Sequence, residues 1–318
     1  MSNCNLNITA GIQNLQLASL IPTFILGVPG NIYVLVMFFR RSRADWTYMN
    51  IYITNMAIAD CIVLVLLPIR IASYYENTWK LSKLWDQTNK ELCYVLVSVY
   101  YVNMYVSIFT ITAISVVRYV AIKYPMKARI ILSRRNALVV CALIWLVTCS
   151  FSAAFHHVDD PKNITTIKCF QKNKEEELPL AFILVLNIVG FLVPFLIMLF
   201  CSVRVIYTLR KQLEIGSRSE KMIQCMFIIA ANLVVFLVCF FPVHFGFFLK
   251  YIAQAYGYSC DVQSFAHNFV HFAMCVSSMN CALDCFSYYF ATRTSWILCC
   301  TKKTERNEEY ECEYNKVT

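Results

Sequence analysis

Apolar residues run in long blocks along this chain rather than alternating with polar ones at the short periods of soluble strands and surface helices. Seven such blocks stand near residues 17–40, 48–73, 92–118, 136–156, 179–206, 222–250 and 265–290, and together they hold more than half of the 318 residues. About 20 apolar residues in a helix cross the hydrocarbon core of a bilayer, so each block is long enough to span it. Transmembrane strands are about 9–11 residues long and alternate; these blocks do neither. Lipid satisfies no backbone N–H or C=O, so spanning segments close their own hydrogen bonds. The pattern predicts an all-α membrane protein, a seven-transmembrane helix bundle.

Composition agrees, with 59% hydrophobic and only 15% charged residues. The charges that remain orient the bundle by the excess of Lys and Arg in cytoplasmic loops. Arg40, Arg41 and Arg43 follow the first block. Lys123, Lys127, Arg129, Arg134 and Arg135 lie between the third and fourth, and Arg204, Arg210, Lys211, Arg218 and Lys221 between the fifth and sixth. These segments face the cytoplasm, the opposite loops mix signs, and the N-terminus lies outside. The net charge of +9 therefore faces anionic lipid and is no argument for nucleic acid. No charged n-region precedes the first block, so no cleavable signal peptide is expected. The expected divisions are an extracellular N-terminus over 1–16, a membrane domain over 17–298 and a cytoplasmic tail over 299–318. The localisation is the plasma membrane, with many crossings.

Sixteen cysteines sort by compartment. Cys4, Cys93, Cys169 and Cys260 fall outside, where disulfides persist, and four cysteines allow three pairings. Cys299 and Cys300 lie in the cytosol just past the last block; palmitoylation is the functional reading and spare reduced thiols the plain one. Asn7-Ile8-Thr9 and Asn163-Ile164-Thr165 are N-glycosylation acceptors on the outer side.

A polar residue inside a span is costly in lipid and marks a cavity or a partner. Asn31, Asp60, Asn103, Ser107, Asn280 and Asp284 form such a set. Two readings stay open for it. Two carboxylates with amides and a hydroxyl suit a hard cation such as sodium, and a water-filled network with one acid protonated serves as well. No other cofactor or metal is expected. Two rival classes draw on the same residues. His267 and His271 stand one helical turn apart, as in zinc proteases, but Asn268 occupies the place of the catalytic glutamate, so no enzyme is expected. A transporter or channel using Asp60 and Asp284 is the alternative, although no paired broken helices or internal repeat accompanies them.

Gly30-Asn31, the run from Asn55 to Asp60, Cys93 with Arg118-Tyr119, Trp145, Pro194, the run from Cys239 to Pro242, and the run from Asp284 to Tyr288 occur in order, in the expected spans. They resemble the landmarks of class A, rhodopsin-like G-protein-coupled receptors over about residues 15–300. The surrounding wording is similar to the branch that holds nucleotide, lysophospholipid and protease-activated receptors, nearest to those for lysophosphatidylinositol and kynurenate. The resemblance implies a short amphipathic helix after the last span, a Cys93–Cys169 disulfide and a second pair, Cys4–Cys260. It also implies coupling to heterotrimeric G proteins, of the 12/13 or i class, with arrestin and receptor kinases as further partners. On this reading Phe236 and Phe240 repack about a hinge at Pro242, Arg118 and Tyr119 meet the G protein, Pro125 and Met126 offer it an apolar knob, and Tyr288 turns inward. The plain alternative for Arg118 is a snorkelling interfacial arginine.

The ligand is expected between the outer ends of the spans. Arg70 lies about three turns beyond Asp60, and Lys250, His244, His267 and His271 converge on the same mouth with Tyr100, Tyr101 and Met104. Such a set suits an acidic head group on an apolar tail; the plain reading pairs Arg70 with Glu76 and lets Lys250 snorkel. The chain departs from the family pattern where Val117 replaces the usual acid before the arginine, and the matching stretch of span six, Lys221-Met222-Ile223, has no acid either. Asp284-Cys285 replaces Asn-Pro, Phe240 the usual tryptophan and Ser202 the usual tyrosine. The missing acids imply raised agonist-free signalling, unless a backbone carbonyl or Thr54 holds Arg118 instead.

Overall fold

A computed structural model describes residues 4, 6, 8–40, 42, 46–74, 89–158, 180–214 and 220–285. Asn7, Glu76, Asn163, Cys169, Tyr288, Cys299 and Cys300 lie outside these residues, as do the side chain of Cys93, the helix expected after the last span and the tail. The described chain is helical: α1 (Ala10–Phe39), α2 (Tyr48–Tyr74), α3 (Asn89–Lys123), the short α4 (Pro125–Ile131), α5 (Arg134–Val158), α6 (Leu180–Glu214), α7 (Glu220–Ala255) and α8 (Cys260–Ser278). After a turn at Met279 the chain is again helical through Cys285.

The helices close a ring around α3. α1 packs on α2 and α8, α2 on α3 and α5, α3 on α5 and α6, and α7 on α6 and α8. Peripheral helices turn apolar residues outward, as Ile25, Phe39 and Leu146 do, where lipid is as good a solvent as the core. Six helices among the described residues are long and apolar enough to cross a membrane. The seventh crossing, α8, is less apolar because it carries His267, Asn268, His271, Ser277 and Ser278, most of them buried toward the bundle.

The helices depart from the apolar blocks of the sequence in several places. α1 starts at Ala10, because the polar residues of its first turns find partners inside: the Gln16 side chain meets His271, Ser19 Oγ donates to the Gln16 carbonyl and Thr23 Oγ1 to the Ser19 carbonyl. α3 continues past Arg118 to Lys123. α6 contains a π-helical turn, Ile188–Leu192, before Pro194.

Polar side chains tie the helices together. Trp145 Nε1 donates to Asn55 Oδ1 at 2.8 Å, and Asn55 Nδ2 donates to Thr110 Oγ1 at 3.0 Å, which joins α5, α2 and α3. Asn31 Nδ2 donates to the carbonyls of Gly27 and Cys281, each at 3.0 Å, and so bridges α1 to the segment after α8. The same seam explains Gly30: a Cβ there would stand 2.5 Å from Cys285 Sγ, so no larger residue admits the close approach. Outside, Cys4 bonds Cys260 and the Thr9 N–H donates to Asn268 Oδ1, so the chain ahead of α1 lies against α8.

Candidate functional site

The functional side chains fall into three levels along the bundle. At the outer level polar side chains of α1, α2, α3 and α8 meet in one cluster, here termed the chamber. Arg70, 5% exposed, holds its guanidinium carbon 4.8 Å from the centre of the Tyr100 ring, a cation–π contact. The Tyr100 hydroxyl donates to the Met274 carbonyl at 2.6 Å and accepts from Ser278 Oγ at 3.1 Å, which fixes α3 to α8. His271 stacks edge-on to His267, with ring centres 4.7 Å apart, and its Nδ1 lies 3.4 Å from Gln16 Nε2. Arg70 and Lys250 both lie within electrostatic reach of His271, and Lys250 of His267. His267 is 1% exposed, and neither of its ring nitrogens has a hydrogen-bond partner among the described residues. A buried imidazole without partners is unusual, and Lys250 lies within electrostatic reach of it.

The expected ligand set therefore divides. Arg70, Tyr100, His267, His271 and, by reach, Lys250 belong to the chamber. Tyr101 and Met104 turn to the other side of α3, toward Phe247 of α7 and the apolar cluster of Phe191, Phe236 and Val243. His244 lies in that cluster too, with one nitrogen against the Phe240 carbonyl and the other against Tyr105. Its nitrogens are committed within the core and do not face the chamber. Gln16 and Ser278 join the chamber unannounced. Gln16 is the last of three amides, with Gln13 and Asn14, just ahead of the first apolar block.

At the middle level Asp60 is fully buried, and neither carboxylate oxygen has a hydrogen-bond partner among the described residues. Asn31 Oδ1, Asn103 Oδ1, Ser107 Oγ and Asn280 Oδ1 are likewise buried and unpartnered there. The amide nitrogens are committed elsewhere: Asn103 Nδ2 donates to Cys281 Sγ at 3.4 Å and Asn280 Nδ2 to Asp284 Oδ2 at 2.7 Å. A carboxylate with neutral oxygen acceptors fits a hard monovalent cation. No group of three or more His, Cys, Asp or Glu placed to hold a metal ion occurs among the described residues.

At the inner level Val117 is buried between α2, α3 and α5 with Met49, Tyr52, Met56 and Ala137. Arg118, next to it, is half-buried and has no hydrogen bond or ion pair among the described residues. Thr54 Oγ1 donates to the Asn50 carbonyl at 2.8 Å, and no hydrogen bond joins it to Arg118 among the described residues. Tyr119 sits edge-on to Phe200 of α6 and to Tyr124. Val205 and Leu209 of α6 pack with Cys225 and Ile229 of α7, and Tyr119 and Ile122 of α3 lie against them, so the cytoplasmic ends are closed. Pro125 starts α4, whose Met126 is 77% exposed. Phe236 and Phe240 are buried edge to face at 5.3 Å, and Pro242 lies within α7.

Residues 30–288 match the family described as 7 transmembrane receptor (rhodopsin family). The chain belongs to the rhodopsin family of seven-transmembrane receptors. The receptor is 31% identical over 294 residues to G-protein coupled receptor 55 of Mus musculus, covering 88% of this chain and 86% of the other. It is similar to lysophosphatidic acid receptor 4 of Homo sapiens, 31% identical over 276 residues, covering 84% of this chain and 71% of the other. G-protein coupled receptor 35 of Homo sapiens is 31% identical over 272 residues, with 85% and 81% covered. The chain is thus a multi-pass plasma-membrane receptor that couples to G proteins. Its family is one of receptors, and the transporter or channel reading of Asp60 and Asp284 finds no support in it.

The chamber geometry makes Tyr100 a tie between helices as well as a platform for Arg70. Tyr100→Phe keeps the ring and removes the hydroxyl, so thermal unfolding of the purified receptor should show a loss of about 0.5–1.5 kcal/mol, with surface expression retained. Unchanged unfolding would assign Tyr100 to the ring contact alone.

Proposed function

We propose that the receptor senses a small anionic amphiphile of the lysophospholipid type. The observation that carries this is the outer polar cluster: Lys250 within reach of His267 and His271, Arg70 within reach of His271, and a buried His267 without hydrogen-bond partners among the described residues. An acidic head group meets the cations and the imidazoles. The similarity to a lysophosphatidic acid receptor supports the same class. Replacing Arg70 or Lys250 by Ala should weaken an acidic lysophospholipid agonist by about 1.5–3 kcal/mol, the range for charge-assisted hydrogen bonds, at unchanged surface expression. Potency retained by both variants would remove the anionic chamber.

Binding there biases an equilibrium between closed and open packings of α7 against α3, and the G protein on the cytoplasmic side biases the same equilibrium. Pro242 supplies no backbone N–H and makes α7 easiest to bend between Phe240 and His244. The open form exposes Arg118 and Tyr119, and α4 offers Met126 and Ile130 to the partner. A G protein of the 12/13 or i class is the partner on this reading, followed by receptor kinases and arrestin.

At the middle level Asp60, Asn103, Ser107 and Asn280 are the groups to hold a sodium ion, whose charge keeps the carboxylate ionised in the closed packing. Agonist affinity should therefore fall as sodium replaces a large organic cation, and Asp60→Asn should abolish that dependence. Equilibrium binding in the two salts checks it; insensitivity of the wild type leaves a water network.

At the inner level the absence of a carboxylate beside Arg118 removes a restraint on the closed form. A partly exposed pair of this kind contributes about 1–2 kcal/mol, which changes the active fraction by roughly 5- to 30-fold. Val117→Asp should lower agonist-free nucleotide exchange at matched surface expression, and Arg118→Ala should reduce coupling. Equal basal exchange in wild type and Val117→Asp would make Val117 only a packing residue of its apolar cluster.

A further inference from the structure

A polar contact also lies inside the apolar cluster that joins α3, α6 and α7. His244, 1% exposed, has Nδ1 2.8 Å from the Phe240 carbonyl one turn earlier and Nε2 3.3 Å from the Tyr105 hydroxyl. A carbonyl only accepts, so Nδ1 donates to Phe240, and in the neutral ring Nε2 accepts from the Tyr105 O–H. The surroundings are otherwise apolar: Met104, Ile108, Phe191, Phe236 and Val243. Phe191, in the π turn of α6, stacks on the imidazole with centres 4.8 Å apart. Its neighbour Gly190 is what lets the phenol in, because a Cβ there would stand 2.7 Å from Tyr105 Cε1. Three helices are thus shaped around a single hydrogen bond.

Packing alone does not call for this. Two apolar rings of the same shape would fill the volume with similar stability, whereas a buried polar pair is directional and breaks when its helices separate. The pair also spans a critical place, joining α7 just beyond Pro242 to α3, while Arg118 at the inner end has no partner among the described residues. We propose that Tyr105 and His244 form the restraint that holds α7 closed on α3, with Gly190 as the positioning residue that admits the Tyr105 ring. The closed form then rests on a bond in the middle of the bundle rather than on an ion pair at its cytoplasmic mouth.

The test uses purified full-length receptor and purified heterotrimeric G protein with no agonist present, so its result does not depend on the ligand class. Tyr105→Phe retains the ring and removes the hydroxyl. Agonist-free guanine-nucleotide exchange, counted per folded receptor, should rise about 2- to 12-fold, the factor that one net hydrogen bond gives. Gly190→Ala, which displaces the ring, should raise exchange too, and the double variant should exceed Gly190→Ala by nothing, since both act on one bond. A loss of stability with unchanged or lowered exchange in Tyr105→Phe, or independent addition of the two effects, overturns the proposal.

Discussion

The hydrocarbon of a bilayer offers no partner to a polar side chain, and the architecture of this receptor follows from where its helices place the ones they carry. Asn31, Asn55, Tyr100, Tyr105 and His244 each turn inward to a group on another helix. The apolar residues between them have no such preference, because lipid and core suit them almost equally. Helix order and rotation are therefore set by a small number of directional contacts, and α8, which carries several of them, is the one whose own hydropathy identifies it least.

Much of the fold was legible for the same reason: long apolar blocks can only be spanning helices, and basic loops orient them. What could not be read was rotation. Tyr100 and Tyr101 are adjacent in sequence and about 100° apart on a helix, so one faces α8 and the other Phe247 of α7. Sequence order alone groups them in one pocket. His244 shows the same limit, since an imidazole facing a chamber and one bonded to Tyr105 leave the same letter. The π turn at Ile188–Leu192 leaves two traces, Pro194, which supplies no N–H to the Gly190 carbonyl four residues earlier, and Gly190 itself, whose reason is a ring on another helix. The landmarks of the middle and inner levels were legible residue by residue. That no hydrogen bond joins Thr54 to Arg118 among the described residues is a matter of helix rotation, which the sequence does not carry.

α3 links the levels because it carries a member of each. Tyr100 belongs to the chamber, Tyr105 to the apolar cluster, Ser107 to the middle level and Arg118 to the inner mouth, all on one unbroken helix. A shift of α3 felt at one level is felt at the others, and α7, bendable at Pro242, is the element that can respond. The receptor thus has a stiff reporter and a compliant lever in contact, the arrangement that a two-state switch needs.

The disulfide between Cys4 and Cys260 joins residues 256 positions apart. During synthesis Cys4 reaches the oxidising side of the membrane first and waits there through the insertion of every helix up to α7. The bond closes only when the outer start of α8 arrives beside it, so it records that the whole series has been threaded in the right direction. A chain with one helix inverted presents Cys260 to the reducing side and leaves Cys4 as an exposed thiol, the kind of mark by which the secretory pathway retains unfinished proteins.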